Sequence, residues 1–162
     1  MQWRWARAHD DIDITGEGGA LATSKSGHSY YRAAVCGEVP QAEGEAYAEF
    51  TRVSGIMMVG VARAGVDPSS EGDGLFRTAD GWMYCCGGWH YHNGSYPPWA
   101  SGSKQGIKQG GTVGLLLRRG SLSVHIEGKQ VGVMCTGLSG PLVGAADLAG
   151  GSVRIARKPP PA

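Results

Sequence analysis

The clearest alternation of apolar and polar residues lies in residues 111–155, and the elements it predicts are short strands. Residues 112–117 (TVGLLL) form an apolar run that ends in the charged turn Arg118-Arg119-Gly120, and residues 121–128 (SLSVHIEG) then alternate strictly. Successive side chains of a strand point to opposite faces, so Leu122, Val124 and Ile126 share one face. Ser121, Ser123 and His125 share the other, which the pattern makes the solvated one. Glu127-Gly128 supplies a residue able to take φ > 0, so residues 129–136 (KQVGVMCT) fold back as a hairpin partner. Three such strands in succession predict an antiparallel meander.

The rest of the chain reads as further strands around it. Trp3 and Trp5 fall on one side of an extended lead-in that packs its rings on the body of the protein. Ile12 and Ile14 with Leu21 and Thr23 predict a hairpin turned at residues 16–19, residues 30–36 (YYRAAVC) predict a strand, and residues 40–44 predict a break. Residues 46–53 (AYAEFTRV) suit a strand with one solvated side. Residues 56–62 (IMMVGVA) are almost continuously apolar and predict a separate central strand covered on both faces. The stretch 66–79 (VDPSSEGDGLFRTA) is a loop of a length that is usually functional or mobile. Residues 82–86 and 89–92 predict a hairpin across Gly87-Gly88, with Trp82 as a core ring, and residues 96–104 predict another loop. Residues 147–151 read as a turn into a closing strand at 152–156. Lys158-Pro159-Pro160-Pro161 cannot extend a ladder, because proline lacks the amide donor. The division expected is a lead-in at 1–9, one all-β domain at 10–157 and a proline-rich exit at 158–162.

Composition narrows the classes. A chain of 162 residues is one domain, large enough to bury a core without staples. Its 28 glycines exceed the roughly 7% average but follow no G-X-Y period, so they mark turns between strands. A net charge of +1 offers no electrostatic footprint for nucleic acid or an anionic membrane surface. No apolar run approaches the ~20 residues that span a bilayer. Cys36, Cys85, Cys86 and Cys135 without an apolar leader segment point to a reduced, intracellular and cytoplasmic setting.

A search for chemistry finds little. Cys85-Cys86 with His90 and His92 is the one cluster that could be read as a zinc site, but adjacent cysteines on a strand face opposite ways and no C-x-x-C is present. Residues 11–16 open like a calcium loop, yet position twelve is Ala22 instead of Glu. In Gly137-Leu138-Ser139-Gly140 the second glycine comes one residue too early for a nucleophile elbow. Gly16-Glu17-Gly18 lacks the third glycine of a dinucleotide fingerprint, and Gly102-Ser103-Lys104 lacks the earlier glycine of a phosphate loop. No catalytic residue, cofactor or metal is expected.

Val59-Gly60-Val61-Ala62, Gly81-Trp82 and Tyr91-His92-Asn93-Gly94 are followed by the run from Gly111 through Gly128-Lys129, then Val131-Gly132-Val133-Met134 and Gly137-Leu138-Ser139-Gly140-Pro141-Leu142. In order and rough spacing this set resembles a SPRY domain, the core of the B30.2 family, over about residues 10–157. The resemblance implies an all-β, bent antiparallel β-sandwich of two sheets, concanavalin-like, with little helix. It also implies a noncatalytic module that binds a protein or peptide through loops at one rim. By position, the family's shallow pocket falls on residues 25–32, residues 63–76 and near Gly150. That nominates Lys25, His28, Tyr30, Arg63, Asp67 and Phe76, with Trp99 as an outlying candidate. Tyr30 and Phe76 equally suit packing beneath a loop. Several family members carry an aromatic residue near the last turn, where this chain has Ala149-Gly150-Gly151, so a shallower floor is expected. Two other readings stay open: a structural subunit permanently docked in a large assembly, and a glycan-binding sandwich in which Trp89, Tyr91, Tyr96 and Trp99 offer stacking faces.

Overall fold

The structure, a computed structural model, describes residues 3–25, 30–37, 40–69, 73–102 and 105–161. Its strands are β1 (Trp5–Ala8), β2 (Ile12–Thr15), β3 (Leu21–Ser24), β4 (Arg32–Cys36), β5 (Glu45–Arg63), β6 (Gly81–Cys85), β7 (His90–His92), β8 (Ser101–Gly102), β9 (Thr112–Arg118), β10 (Ser121–Ile126), β11 (Lys129–Cys135) and β12 (Leu142–Arg157). Short 3-10 turns occupy Glu17–Gly19 and Leu75–Arg77.

β5 and β12 organise the molecule. They pair antiparallel from Leu142↔Arg63 to Arg157↔Ala48, and both bend in the middle, where the register shifts between Ala149 and Ser152 opposite Gly55. Gly55 takes φ 65° and packs directly on Gly150 and Gly151, a conformation and a closeness that a Cβ would forbid. On one side of the bend β5 pairs with β9, followed by β10, β11 and β8, while β12 pairs with β3 and through it β2. On the other side β5 pairs with β6 and then β7, while β12 pairs with β4 and then β1. One ladder thus folds over into two layers, the bent antiparallel sandwich. The β9–β10–β11 meander forms as the alternation predicts.

Alternation along β5 explains both of its covered faces. Ala48 and Phe50, then Met57, Val59 and Val61, point between the layers, where they meet Trp5, Leu115, Val124 and Ile155. Trp3 and Trp5 are 5% and 2% exposed, so the lead-in does pack its rings into the core. Met58 and Ala62 point outward into a second apolar cluster with Val35, Met83 and Val143, and the 64–80 connection lays Leu75 and Phe76 over it.

Three expectations need correction. Residues 46–53 and 56–62 are one strand, because Gly55 lets the ladder run through the bend. Residues 147–151 are not a turn but the middle of β12, held to Met58, Met57 and Ile56. The Ser123 and His125 face is not wet: they are 9% and 6% exposed, and the Tyr47 ring stands edge-on to His125 at 5.6 Å. Gly114 leaves the room for that ring, since a Cβ there would lie 2.6 Å from Tyr47 Cζ.

Candidate interaction rim

The connection from β5 to β6 carries the polar and glycine-rich stretch of the sequence, and a single buried acid holds it. Asp147, on the outward face of β12, has no exposed surface. One carboxylate oxygen accepts the Leu75 N–H at 2.8 Å and the other the Phe76 N–H at 2.9 Å. Burial pushes its carboxyl up to about 7, against the pull of those two N–H groups, with Asp73 adding to the rise. Gly74 has to be glycine here: at φ 84° a Cβ would sit 2.9 Å from Tyr31 Cβ and 3.0 Å from Asp147 Cγ. Phe76 is buried edge-on between Tyr31 at 5.0 Å and Tyr91 at 5.2 Å, with the Arg77 guanidinium 5.0 Å over its ring. The Tyr31 N–H donates to Asp73 at 2.8 Å, and Arg77 pairs with the same carboxylate at 3.1 Å. Burial raises the Tyr31 hydroxyl, so it stays protonated.

Between this connection and β4 opens a cavity of about 260 Å³ lined by Ala33, Val66, Asp67, Pro68, Leu75 and Asp80. Asp67 is exposed and accepts the Ser69 N–H at 2.9 Å. Arg63 ends β5 beside it, its N–H on the Asp80 carbonyl at 2.8 Å and its guanidinium on the Ser139 carbonyl. That guanidinium also lies 4.9 Å over Trp82, which stacks on His92 at 4.6 Å, so Trp82 is half-buried between a cation and an imidazole. Lys25 follows β3, exposed, 3.5 Å from Asp13 and donating its backbone N–H to the Asp11 carbonyl. Asp11 pairs with Arg32 at 3.7 Å, and Arg32 covers the ring of Tyr30, which is 58% exposed. A chain of contacts therefore links Lys25 through Asp11 and Arg32 to Tyr30, and the neighbouring Tyr31 touches Asp73 and Phe76.

Of the residues the sequence nominates, Lys25, Tyr30 and Asp67 offer free surface, Arg63 is half-buried and pinned, and Phe76 supports the rim from beneath. His28 lies outside the described residues. Trp99 is elsewhere: its ring stands edge-on to Tyr84 at 5.8 Å and His90 at 5.0 Å, packs against the core, and borders a second cavity of about 450 Å³ with Trp89, Tyr96 and Pro97. Gly150 belongs to the bend of β12. Asp147, Asp73 and Tyr31 escaped the sequence reading, although a lone acid inside the apolar run 142–149 was a signal that could have found the first. Cys85, Cys86, His90 and His92 do not converge, because the His90 ring packs on Trp99 and the His92 ring on Trp82.

The chain has the SPRY-type fold. The SPRY domain of human HERC1 superposes with a TM-score of 0.73 at 19% identity, covering 90% of this chain and 92% of that one. The TRIM65 PSpry domain gives 0.69 at 16% identity, with 98% and 93% covered. Stonustoxin gives 0.69 at 20% identity over 96% of this chain, which spans only 27% of that one. No protein-family model matches the sequence, and no curated protein sequence matches it. Among the described residues no helix is long and apolar enough to cross a membrane.

Proposed function

We propose that this chain is a noncatalytic interaction module that receives a protein or peptide on the surface that carries Lys25, Tyr30, Arg63 and Asp67, with the cavity lined by Asp67 and Leu75 between them. The observation that carries the reading is the latch: Asp147 fixes the Leu75–Arg77 turn on the sandwich, so the wall that Leu75 gives the cavity is held in place by the sandwich itself. Preorganisation of this kind removes the ordering cost of binding. An exposed tyrosine flanked by charges of both signs is the composition on which binding energy concentrates, because an aromatic ring desolvates much area while freezing few rotors. The SPRY-type fold supports the coarser part of this reading, an interaction module.

The test is affinity capture from the cells that encode the protein, followed by a titration of the purified pair. A recognition module is stable alone and binds reversibly. A permanently docked subunit instead aggregates once freed and shows no reversible titration, and that outcome would favour the structural-subunit reading.

A further inference from the structure

β7 opens at His90, across the ladder from Tyr84, and the chain then returns through the irregular residues 93–100. Trp89, His90, Tyr96, Pro97 and Trp99 thereby come to line the cavity of about 450 Å³, which shares no lining residue with the one beside Leu75. Both tryptophans lie close against glycine. A Cβ on Gly87 would come 3.0 Å from the Trp89 ring, and one on Gly132 would come 2.9 Å from the Trp99 ring. Trp89 and Tyr96 are exposed, and Tyr96 leans on Tyr91 at 5.1 Å, which in turn stands against Phe76. Tyr91 therefore supports this wall and does not line it. His90 differs in kind from these rings. It is 3% exposed and edge-on to Trp99 at 5.0 Å, and its Nε2 has no hydrogen-bond partner among the described residues. Burial lowers its pKa, so the imidazole is uncharged at neutral pH. Among the described residues no charged side chain lines the cavity.

A buried polar atom left without a partner costs free energy that a ligand can restore. The volume lies within the roughly 300–1,000 Å³ of small-molecule sites. Aromatic faces are electron-rich and attract the weakly positive C–H bonds of a flat ring as well as cations. A quaternary ammonium suits the rings but has neither a hydrogen nor a lone pair for His90. A proline-rich segment stacks too, yet its tertiary amides carry no N–H and can only accept. A hydroxyl donates and accepts, so it satisfies Nε2 in either tautomer. A pyranose with equatorial hydroxyls joins both properties, because axial C–H bonds cover its faces and hydroxyls line its edge. We propose that Trp89, Tyr96 and Trp99 form a binding site for a neutral, gluco-configured oligosaccharide, whose C–H faces stack on the rings and whose hydroxyl supplies the missing partner of His90 Nε2. Gly87, Gly132 and Tyr91 hold the rings in place without the sugar, which reduces the rotors that binding must freeze. The site stands apart from the protein-binding surface proposed above, so either assignment can fail without the other.

The test titrates the full chain with cellohexaose, maltohexaose and chitohexaose, which carry gluco-type rings in different linkages, and reads tryptophan fluorescence. At least one of the three is expected to give a saturable change. Trp89→Ala and Tyr96→Ala should each weaken that sugar about two- to tenfold, the loss of one aromatic contact. Tyr96 is largely in solvent, so Tyr96→Ala should melt near wild type and decides the question if Trp89→Ala fails to fold. In the wild-type chain the Nε2 nitrogen resonance of His90 should move with bound sugar, while that of His125, buried outside the cavity, stays in place. Choline and a decaproline peptide are titrated beside the sugars. No saturable change with any of the three sugars, a response to choline or decaproline alone, or sugar affinity unaltered in Tyr96→Ala would overturn the site. An unmoved His90 resonance with sugar bound would overturn the part given to His90.

Discussion

Asp147 shows how much one residue decides. A buried carboxylate with no exposed surface is tolerated here because two backbone N–H groups meet it, and the same contacts fix the turn that supports the rim. Its folded pKa of about 7 lies above the ordinary 3.8, so the folded chain holds the proton more tightly than the unfolded one. The stability this contributes is complete below 3.8 and is lost as pH rises toward 7. Urea titrations across that window should show wild-type stability falling more steeply than that of Asp147→Asn, whose side chain does not titrate. Asp147→Ala leaves both N–H groups unsatisfied and should cost roughly 2–5 kcal/mol in the same measurement. Gly74→Ala, strained at φ 84° and crowded by Tyr31 and Asp147, should lower stability. The expected loss is about 1–3 kcal/mol. Sequence reading nominated Lys25, Tyr30, Arg63 and Asp67 by their position in the chain alone. It missed Asp147 because an acid followed by Leu-Ala-Gly-Gly has the look of a turn, and only the ladder to β5 shows otherwise.

At the scale of elements, two bent strands do what separate strands were expected to do. Hydrophobic alternation locates strands well, and β9, β10 and β11 follow it closely. It cannot tell a break from a bend, because glycine serves both, so β5 was read as two pieces. The difference is testable at Gly55. With φ 65° and a Cβ that would sit 2.7 Å from Gly151 Cα, Gly55→Ala strains the bend on which both layers depend. Its urea midpoint should drop by the equivalent of about 2–4 kcal/mol. Gly65→Ala is the control: no atom lies within 4 Å of the added methyl. Its stability should stay within about 0.5 kcal/mol of wild type. The solvated face assigned to β10 failed for a related reason. Tyr47 comes from β5, distant in sequence, and bridges Gly114 to cover His125, which no local pattern reports.

For the molecule as a whole, the bend sets two layers face to face and leaves the outer side of one of them to be covered by the β5–β6 connection. Loops placed on a rigid sandwich can vary without disturbing it, which is why the fold was legible in the order of its glycines and apolar runs. The site was legible only in outline. The rings of Phe76 and Trp99 had to be seen before the first could be assigned to support and the second to a separate cavity with Trp89 and Tyr96. Asp67 and Tyr30 make the cleanest probes, since both side chains lie largely in solvent. The decisive measurement is a calorimetric titration of the captured partner with wild type and with Tyr30→Ala/Asp67→Lys, beside their melting temperatures. The rim assignment predicts unchanged melting and affinity weakened by at least about tenfold, some 1.4 kcal/mol. Equal affinity for both chains would contradict it.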